Sequence, residues 1–286
     1  CAPHYLDFFR NQAARSIHHH RMFTHDDRLL VAVSGGKDSL SLWDVLMETG
    51  YQTTGLHIHL GIGEYSDHSL AVTRAFAEGH GAQLIVVDVA KEYGLGVHQL
   101  ARAVRRVPCS CCGLSKRYIF NKAALEGGYT VLVTGHNLDD EAATLMGNVL
   151  HWQTEYLARQ SPVLESTHPT LVRRAKPFCS LTERETASYA ILRGIDFVEA
   201  ECPNAVGASS LQYKEVLNRL EHQSPGTKQQ FLDGFLERIR PGLREAEAVE
   251  LRDCARCGQP TTAEVCAFCR LWERARARVA PTVNQN

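Results

Sequence analysis

A chain of 286 residues can bury one large core, and an apolar fraction of 44% suits a globular protein rather than a disordered or fibrous one. With 31 Lys and Arg against 32 Asp and Glu, the overall field does not advertise a polyanionic partner, so any nucleic-acid surface must be local. No run approaches the roughly 18 consecutive apolar residues of a membrane span. The opening CAPHYLDFFRNQAARS lacks a charged-then-apolar leader pattern, so a cytoplasmic protein with no membrane partner is expected. Ten cysteines in a reducing compartment read as metal ligands or reactive thiols rather than disulfides.

After a polar lead-in rich in histidine (His18, His19, His20, His25), apolar runs alternate with helical patterns. Runs rich in Val, Ile and Leu predict strands over residues 29–33, 54–60, 84–89 and 130–134. Between them lie helix-length segments such as 38–49, where Leu40, Trp43, Leu46 and Met47 recur at helical spacing. This alternation predicts an α/β fold with a doubly wound parallel sheet covered on both faces. Past Pro203 the pattern becomes helical: Tyr213, Val216, Leu217 and Leu220 form one stripe, and residues 231–239 follow. Pro241 and Gly242 break that run, and a cysteine-dense tail begins at Cys254. The expected division is a lead-in over 1–25, a main domain over 26–202, a helical extension over 203–250 and a terminal module with a basic tail over 251–286.

The first strand runs into Ser34, Gly35, Gly36, Lys37, Asp38 and Ser39. Consecutive unencumbered N–H groups followed by a helix start form a nest of partial positive charge that suits phosphate. Ser34 and Ser39 add hydroxyls and Lys37 a full charge. The competing account is a turn in which glycine permits positive φ and Ser34 caps the helix. The motif is not G-x-x-x-x-G-K-[ST], because nothing separates its glycines. Asp38 either orients a Mg²⁺ ion that bridges phosphate oxygens or is a favourable charge in the first helical turn.

The stretch TVLVTGHNLDDEAATLMGNVLHWQ is a second strand, glycine and helix unit containing Gly135. Asn137 and Asp140 fit an N-cap and its third helical position; Asp140 also falls at the carboxyl end of a strand, where open α/β sheets bind ligands. Cys109 and Cys112 have the C-x2-C spacing that lets two sulfurs meet one metal centre, and Cys202 offers a third from far along the chain. Three thiolates leave a coordination position open, as chemistry requires and a closed structural zinc does not. Cys111 reads as a neighbour of Cys112 rather than a ligand, and Cys179 as an ordinary core thiol. In the tail, Cys254, Cys257, Cys266 and Cys269 form two C-x2-C knuckles, which predicts a closed tetrahedral zinc site.

The first of these motifs matches the PP-loop of the ATP pyrophosphatase superfamily, which implies ATP cleaved between its α- and β-phosphates. Taken in order, S-G-G-K-D-S, P-C-S-x-C-G-x-x-K-R-Y, T-G-H-N-L-D-D-E-A and E-C-P-x-x-x-G-A resemble the tRNA 2-thiouridine synthetases of the thermophilic-bacterial and archaeal type, relatives of the eukaryotic wobble-uridine thiolase. The resemblance runs through essentially the whole chain. It implies ATP held by Ser34 to Ser39 and Gly135, and a [4Fe-4S] cluster held by Cys109, Cys112 and Cys202 with one iron free of protein ligands. It makes Lys37 and Asp38 the phosphate and metal contacts, and Lys116 and Asp140 the catalytic lysine and aspartate. Uridine would be adenylated at its C2 oxygen, and sulfide on the free iron would then displace AMP; a persulfide relay through Cys202 and Cys109 or Cys112 is the rival route. Cys1 and His4 look like the second half of an N-terminal zinc module, ligands if the natural protein begins earlier and a frayed end otherwise. The family further implies a homodimer, and a ubiquitin-like sulfur carrier with a C-terminal thiocarboxylate. The second-turn stretch is more like enzymes acting at position 54 of the T-loop than the wobble branch.

Basic groups recur at Arg102, Arg105 and Arg106, at Lys116 and Arg117, at Arg173, Arg174 and Lys176, and at Arg270, Arg274, Arg276 and Arg278, a local surface for tRNA phosphates or simply solvated helix faces. Three rival functions share parts of this pattern. A PP-loop amide-forming ligase shares the nucleotide turn but gives no reason for the three scattered cysteines. A non-catalytic RNA-binding zinc ribbon predicts no tRNA-dependent release of pyrophosphate. Sulfur transfer to a small natural product keeps the chemistry and changes the acceptor.

Overall fold

Residues 28–33 alternate strictly in where they point, and that alternation places the two hydrophobic cores. In the computed structural model, which describes residues 1–205, 209–243 and 250–279, Leu29, Val31 and Val33 enter one core while Leu30 enters the other. Val131 and Val133 against Leu132 repeat the pattern one strand away, as period-2 side chains of a sheet covered on both faces must.

The chain begins with α1 (Ala2–His19), β1 (Arg28–Ala32), α2 (Lys37–Glu48), β2 (Gln52–His59), α3 (Gly63–Gly79) and β3 (Leu84–Asp88). It continues through α4 (Val89–Tyr93), α5 (Val97–Val104), α6 (Pro108–Glu126), β4 (Val131–Thr134), α7 (Leu138–Leu150) and α8 (Thr154–Arg159). Two short strands follow, β5 (Val163–Leu164) and β6 (Arg173–Ala175), then α9 (Glu183–Arg193), α10 (Ser209–Gln223) and α11 (Thr227–Gly234). The tail holds β7 (Arg252–Asp253), β8 (Pro260–Thr261) and α12 (Ala267–Val279).

The main sheet has six strands in the order β3-β2-β1-β4-β6-β5, parallel throughout except for the edge strand β5. Strand order reverses between β1 and β4, which lie side by side with Leu30 opposite Leu132, so both of their carboxyl-end turns open on one crevice. The four predicted strands are present; β5 and β6 were not foreseen, being two and three residues long, with Arg173 and Arg174 in β6. The segment 231–239 is not one helix: α11 ends at Gly234 and a π turn (Phe235–Ile239) follows.

Helix α9 is clamped to α2 by a buried charge. Asp44 is fully buried and accepts from Arg193 Nε and Nη2, both at 2.9 Å, and from Tyr189 Oη at 2.6 Å. Breaking such a buried pair from one side costs about 3–5 kcal/mol. The clamp holds the second half of α9 against the middle of α2, and Lys37 and Glu183 pair where the two helices start. On the opposite face, the tail docks by α12 on α5 and α6, with Phe268 stacked on Tyr118 at 3.6 Å between centroids and Asn121 Nδ2 donating to Gln259 Oε1 at 2.6 Å.

Candidate active site

Leaving β1, the chain turns at Gly35 with φ of 79°, and a Cβ there would lie 2.8 Å from the Ser69 carbonyl oxygen, so only glycine fits. Gly36 is the N-cap of α2 and no side chain caps the first turn. Ser34 therefore does not cap the helix: its amide donates to Ser39 Oγ at 3.1 Å, and Ser39 Oγ donates to the Gly36 carbonyl at 3.0 Å. The first N–H groups of α2 have no side-chain acceptor, which is the arrangement that receives a phosphate.

Gly135 makes the second turn possible. A Cβ on it would sit 2.9 Å from the backbone of Asp38, so the two turns touch only because this side chain is missing. Asn137 and Asp140 form the predicted capping box, each arm at 3.1 Å, and Asn137 Nδ2 also donates to Asp38 Oδ1 at 3.2 Å. Capping occupies one oxygen of Asp140; the other meets Lys214 Nζ at 2.6 Å.

Helix α6 carries the paired cysteines. Residues three and four apart share a helix face, so Cys112, Lys116 and Phe120 line up along one side while Cys111, about 100° away, is fully buried among core residues. Cys109 lies at the exposed end of the same face and its Sγ donates to the Asn204 carbonyl at 3.1 Å, which ties the loop after Cys202 to α6. His98 Nε2 lies 2.7 Å from Asn204 Oδ1 and holds that loop from α5. Val206, Gly207 and Ala208 of the E-C-P-x-x-x-G-A motif fall outside the described residues.

One cavity of about 370 Å³ joins these pieces. Ser34, Gly36, Asp38 and Ser39 form one wall, Gly135 and Asp140 another, and Cys112, Lys116 and Cys202 a third; His57, Tyr65 and Ser69 are also among the lining residues. Lys37 lies beside it, bonded to Asp38 Oδ2 at 3.3 Å and Glu183 Oε1 at 2.8 Å. Burial pushes Asp38 up, Asp140 and Glu183 add to the shift, and Lys37 opposes it. Burial also pushes the Cys112 thiol up, helped by Cys202 and Cys109 and opposed by Lys116. His57 is pushed down to about 4 by burial and by His59, so it is neutral at physiological pH.

Three neighbours were not singled out from the sequence. Lys214 on α10 bridges Asp140 and Glu183, whose Oε2 lies 3.2 Å away; Glu183 starts α9; and His57 stands on β2. Glu183 reads in sequence as an ordinary first-turn acid, and Lys214 lies beside the apolar stripe of α10 as any solvated lysine would. Tertiary packing brings them here: α9 against α2, α10 against α7, and β2 beside β1.

In the tail, the sulfurs of Cys254, Cys257, Cys266 and Cys269 all lie within 4.8 Å of one another, a donor set that fits a single tetrahedral zinc ion. Among the described residues this is the one His, Cys, Asp or Glu group so gathered; Cys109, Cys112 and Cys202 are wider apart. Cys1 Sγ and His4 Nδ1 are 3.5 Å apart and exposed at the start of α1, and among the described residues no third His, Cys, Asp or Glu donor gathers with them. Cys179 is a core thiol, 3.2 Å from Ser16 Oγ.

The basic groups divide. Lys176 is committed to buried Glu141, with Nζ at 2.8 and 2.9 Å from its two oxygens, and Arg173 pairs with Glu165, so this group is not a free surface. Arg102, Arg105, Arg106, Arg270, Arg274, Arg276 and Arg278 are exposed, and Arg278 Nη1 donates to the Ala103 carbonyl at 3.0 Å, joining the α5 and α12 sets.

Two strand–glycine–helix turns meeting over adjacent parallel strands define a nucleotide-binding α/β domain of PP-loop type, and residues 9–206 match the family model described as a PP-loop domain. The chain is 59% identical over 278 residues to the tRNA-5-methyluridine(54) 2-sulfurtransferase of Thermus thermophilus, covering 97% of this chain and 86% of the relative. It is 43% identical to the Thermotoga maritima protein of the same name, covering 97% and 91%, and 30% identical to the tRNA 2-thiolation protein NcsA of Haloferax volcanii, covering 97% and 93%. In fold it is similar to the U34-tRNA thiolase NcsA from Methanococcus maripaludis, solved with its [4Fe-4S] cluster, at a TM-score of 0.82 and 24% identity over 96% of this chain and 89% of that one. The chain belongs to the PP-loop family of tRNA 2-thiolation enzymes.

Proposed function

We propose that this protein is an ATP-dependent tRNA-uridine 2-sulfurtransferase that adenylates the C2 oxygen of a uridine and replaces it with sulfur. One observation carries the reading: the nucleotide turn, Lys116, Asp140, Cys112 and Cys202 line a single cavity. A carbonyl oxygen is a poor leaving group and AMP a good one, so nucleotide and sulfur must meet at the same carbon. An amide-forming ligase gives no role to thiols in that cavity.

The turn Ser34–Ser39 receives the phosphates through backbone N–H groups and the Lys37 ammonium, which offset the charge that develops on pyrophosphate. Asp38 would hold Mg²⁺ against phosphate oxygens. The uridine C2 oxygen attacks the α-phosphorus and pyrophosphate leaves. Lys116, directed into the cavity one turn beyond Cys112, neutralises the adenylated base, and Asp140 orients it. The target base must leave its stack to enter, at a cost of a few kcal/mol in a duplex and less in a loop. A [4Fe-4S] cluster on Cys109, Cys112 and Cys202 would supply the sulfur nucleophile at its unligated iron. Attack at C2 then expels AMP, and Cys254, Cys257, Cys266 and Cys269 would hold zinc as a brace for the tail.

The finer parts of the reading are position 54 as the acceptor, supported by the names of relatives at 59% and 43% identity; a cytoplasmic protein; a homodimer; and a ubiquitin-like carrier as sulfur source. The four-part division of the chain and a zinc role for Cys1 and His4 belong to it too. Among the described residues, no helix is long and apolar enough to cross a membrane.

Nucleoside mass spectrometry of tRNA incubated anaerobically with ATP and sulfide tests the reading. Protein reconstituted with iron and sulfide is expected to yield 2-thiouridine with release of pyrophosphate. Full thiolation by iron-free protein would remove the cluster from the reading and leave sulfide itself as the nucleophile that displaces AMP, and no thiolation under either condition would refute the function.

A further inference from the structure

Lys214 takes no part in the mechanism above, although its side chain is four-fifths buried beside the nucleotide turns. Its Nζ meets Asp140 Oδ1 at 2.6 Å and Glu183 Oε2 at 3.2 Å, while Lys37 Nζ holds the other oxygen of the same Glu183 at 2.8 Å. One carboxylate is thus shared, oxygen by oxygen, between two ammonium groups. A phosphate presents the same chemistry: two negatively charged oxygens, each accepting from a cation. Glu183 is the most exposed of the three side chains, at 39% against 22% for Lys37 and 19% for Lys214, so it has solvent to move into. Its departure strands neither cation, because Lys37 keeps Asp38 and Lys214 keeps Asp140.

We infer that Glu183 is a side-chain stand-in for a phosphate group, and that Lys214 is a second phosphate-binding cation, supplied to the nucleotide site by the helical extension. When nucleotide binds, Glu183 gives way and the two lysines close on the pyrophosphate part of ATP. The inference rests on the ATP half of the proposed function and is independent of the sulfur half.

The test is calorimetric titration of the full chain, in its metal-loaded form, with magnesium pyrophosphate and with MgATP, using Glu183→Gln, Lys214→Gln, Lys214→Arg and the Glu183→Gln/Lys214→Gln double variant. Removing the stand-in is expected to tighten pyrophosphate binding by about threefold or more, and removing Lys214 to weaken it by about tenfold, with Lys214→Arg near the parent. The coupling has a required sign. In the parent, losing Lys214 also loosens Glu183, which offsets part of the loss; in the Glu183→Gln background the full loss appears, so Lys214→Gln must cost more there. Equal costs in both backgrounds would reduce the effect to through-space charge and overturn the inference. Weaker binding by Glu183→Gln would make that residue a metal ligand, and unchanged binding a structural latch; either result also overturns it. If Lys214→Gln does not fold, the Glu183→Gln result still decides. No tRNA or sulfur is present, so a protein that shows these affinities but never makes 2-thiouridine refutes the function and leaves this inference standing.

Discussion

The two cysteine sets of this chain are built by opposite means. The tail set comes from sixteen consecutive residues, 254–269, and its sulfurs close to within 4.8 Å with Cys254 and Cys266 almost fully buried. The other set takes two thiols from one face of α6 and a third from residue 202, reaches no such closure, and presents Cys112 and Cys202 to a cavity that also holds the nucleotide turn. A set closed on itself has no position left for a substrate and suits a structural ion. A set left open beside a phosphate nest has one, which is what chemistry at that set requires. Cysteine content alone therefore says little; what the sulfurs face decides their role.

The sharpest way to break this contrast is to remove one thiol from each set. Cys202→Ala is expected to lower thiolation on the order of 1,000-fold or more and to reduce bound iron, with magnesium pyrophosphate binding kept within about threefold. Nucleoside mass spectrometry, an iron assay and calorimetry check the three parts, and loss of nucleotide binding would show that the set is not separable from the cradle. Cys257→Ser should do the reverse. It is expected to destabilise the protein by about 3 kcal/mol in urea unfolding, as loss of a structural metal does, while cluster iron stays bound. Replacing Phe268 by Ala, which removes the ring stacked on Tyr118, should cost about 3–5 kcal/mol by the same measurement, because the tail then loses its seat on α6.

A pH experiment sharpens the comparison on the cavity side. His57 titrates near 4 in the folded protein against about 6.5 unfolded, so the unfolded chain binds the extra proton between these values. Stability is then full above about pH 6.5 and falls as pH drops towards 4, by up to about 3 kcal/mol. Urea midpoints of the parent should fall across that window, and those of His57→Gln should fall less. The smallest effect is expected on the outer face of the tail: Arg274→Ala and Arg276→Ala should each weaken tRNA binding modestly and reduce the slope of log K against log salt by about one. Unchanged slopes would remove α12 from the RNA surface.

Much of the fold is legible because its signals are local. Short runs rich in Val, Ile and Leu give β1 to β4, and Asn137 with Asp140 gives a capping box found as expected. β5 and β6 escape because two or three residues carry no period, and Arg173 and Arg174 disguise β6, an inner strand whose place is fixed by its neighbours β4 and β5. Lys176 looked like part of a basic surface until buried Glu141 claimed it. The competing account of Ser34 as a helix cap falls, because Ser34 braces the turn through Ser39 instead.

By itself, the sequence determined the strand-and-helix alternation, the two glycine turns and the closed cysteine knot of the tail, since each depends on residues within a few positions of one another. Only the tertiary structure decided that the turn after β1, the turn after β4, one face of α6 and the loop carrying Cys202 share a cavity, and that Glu183 and Lys214 stand beside it. Those meetings depend on strand order, on a missing side chain at Gly135 and on the Asp44 clamp, and contacts across a hundred residues leave no period for a sequence to show.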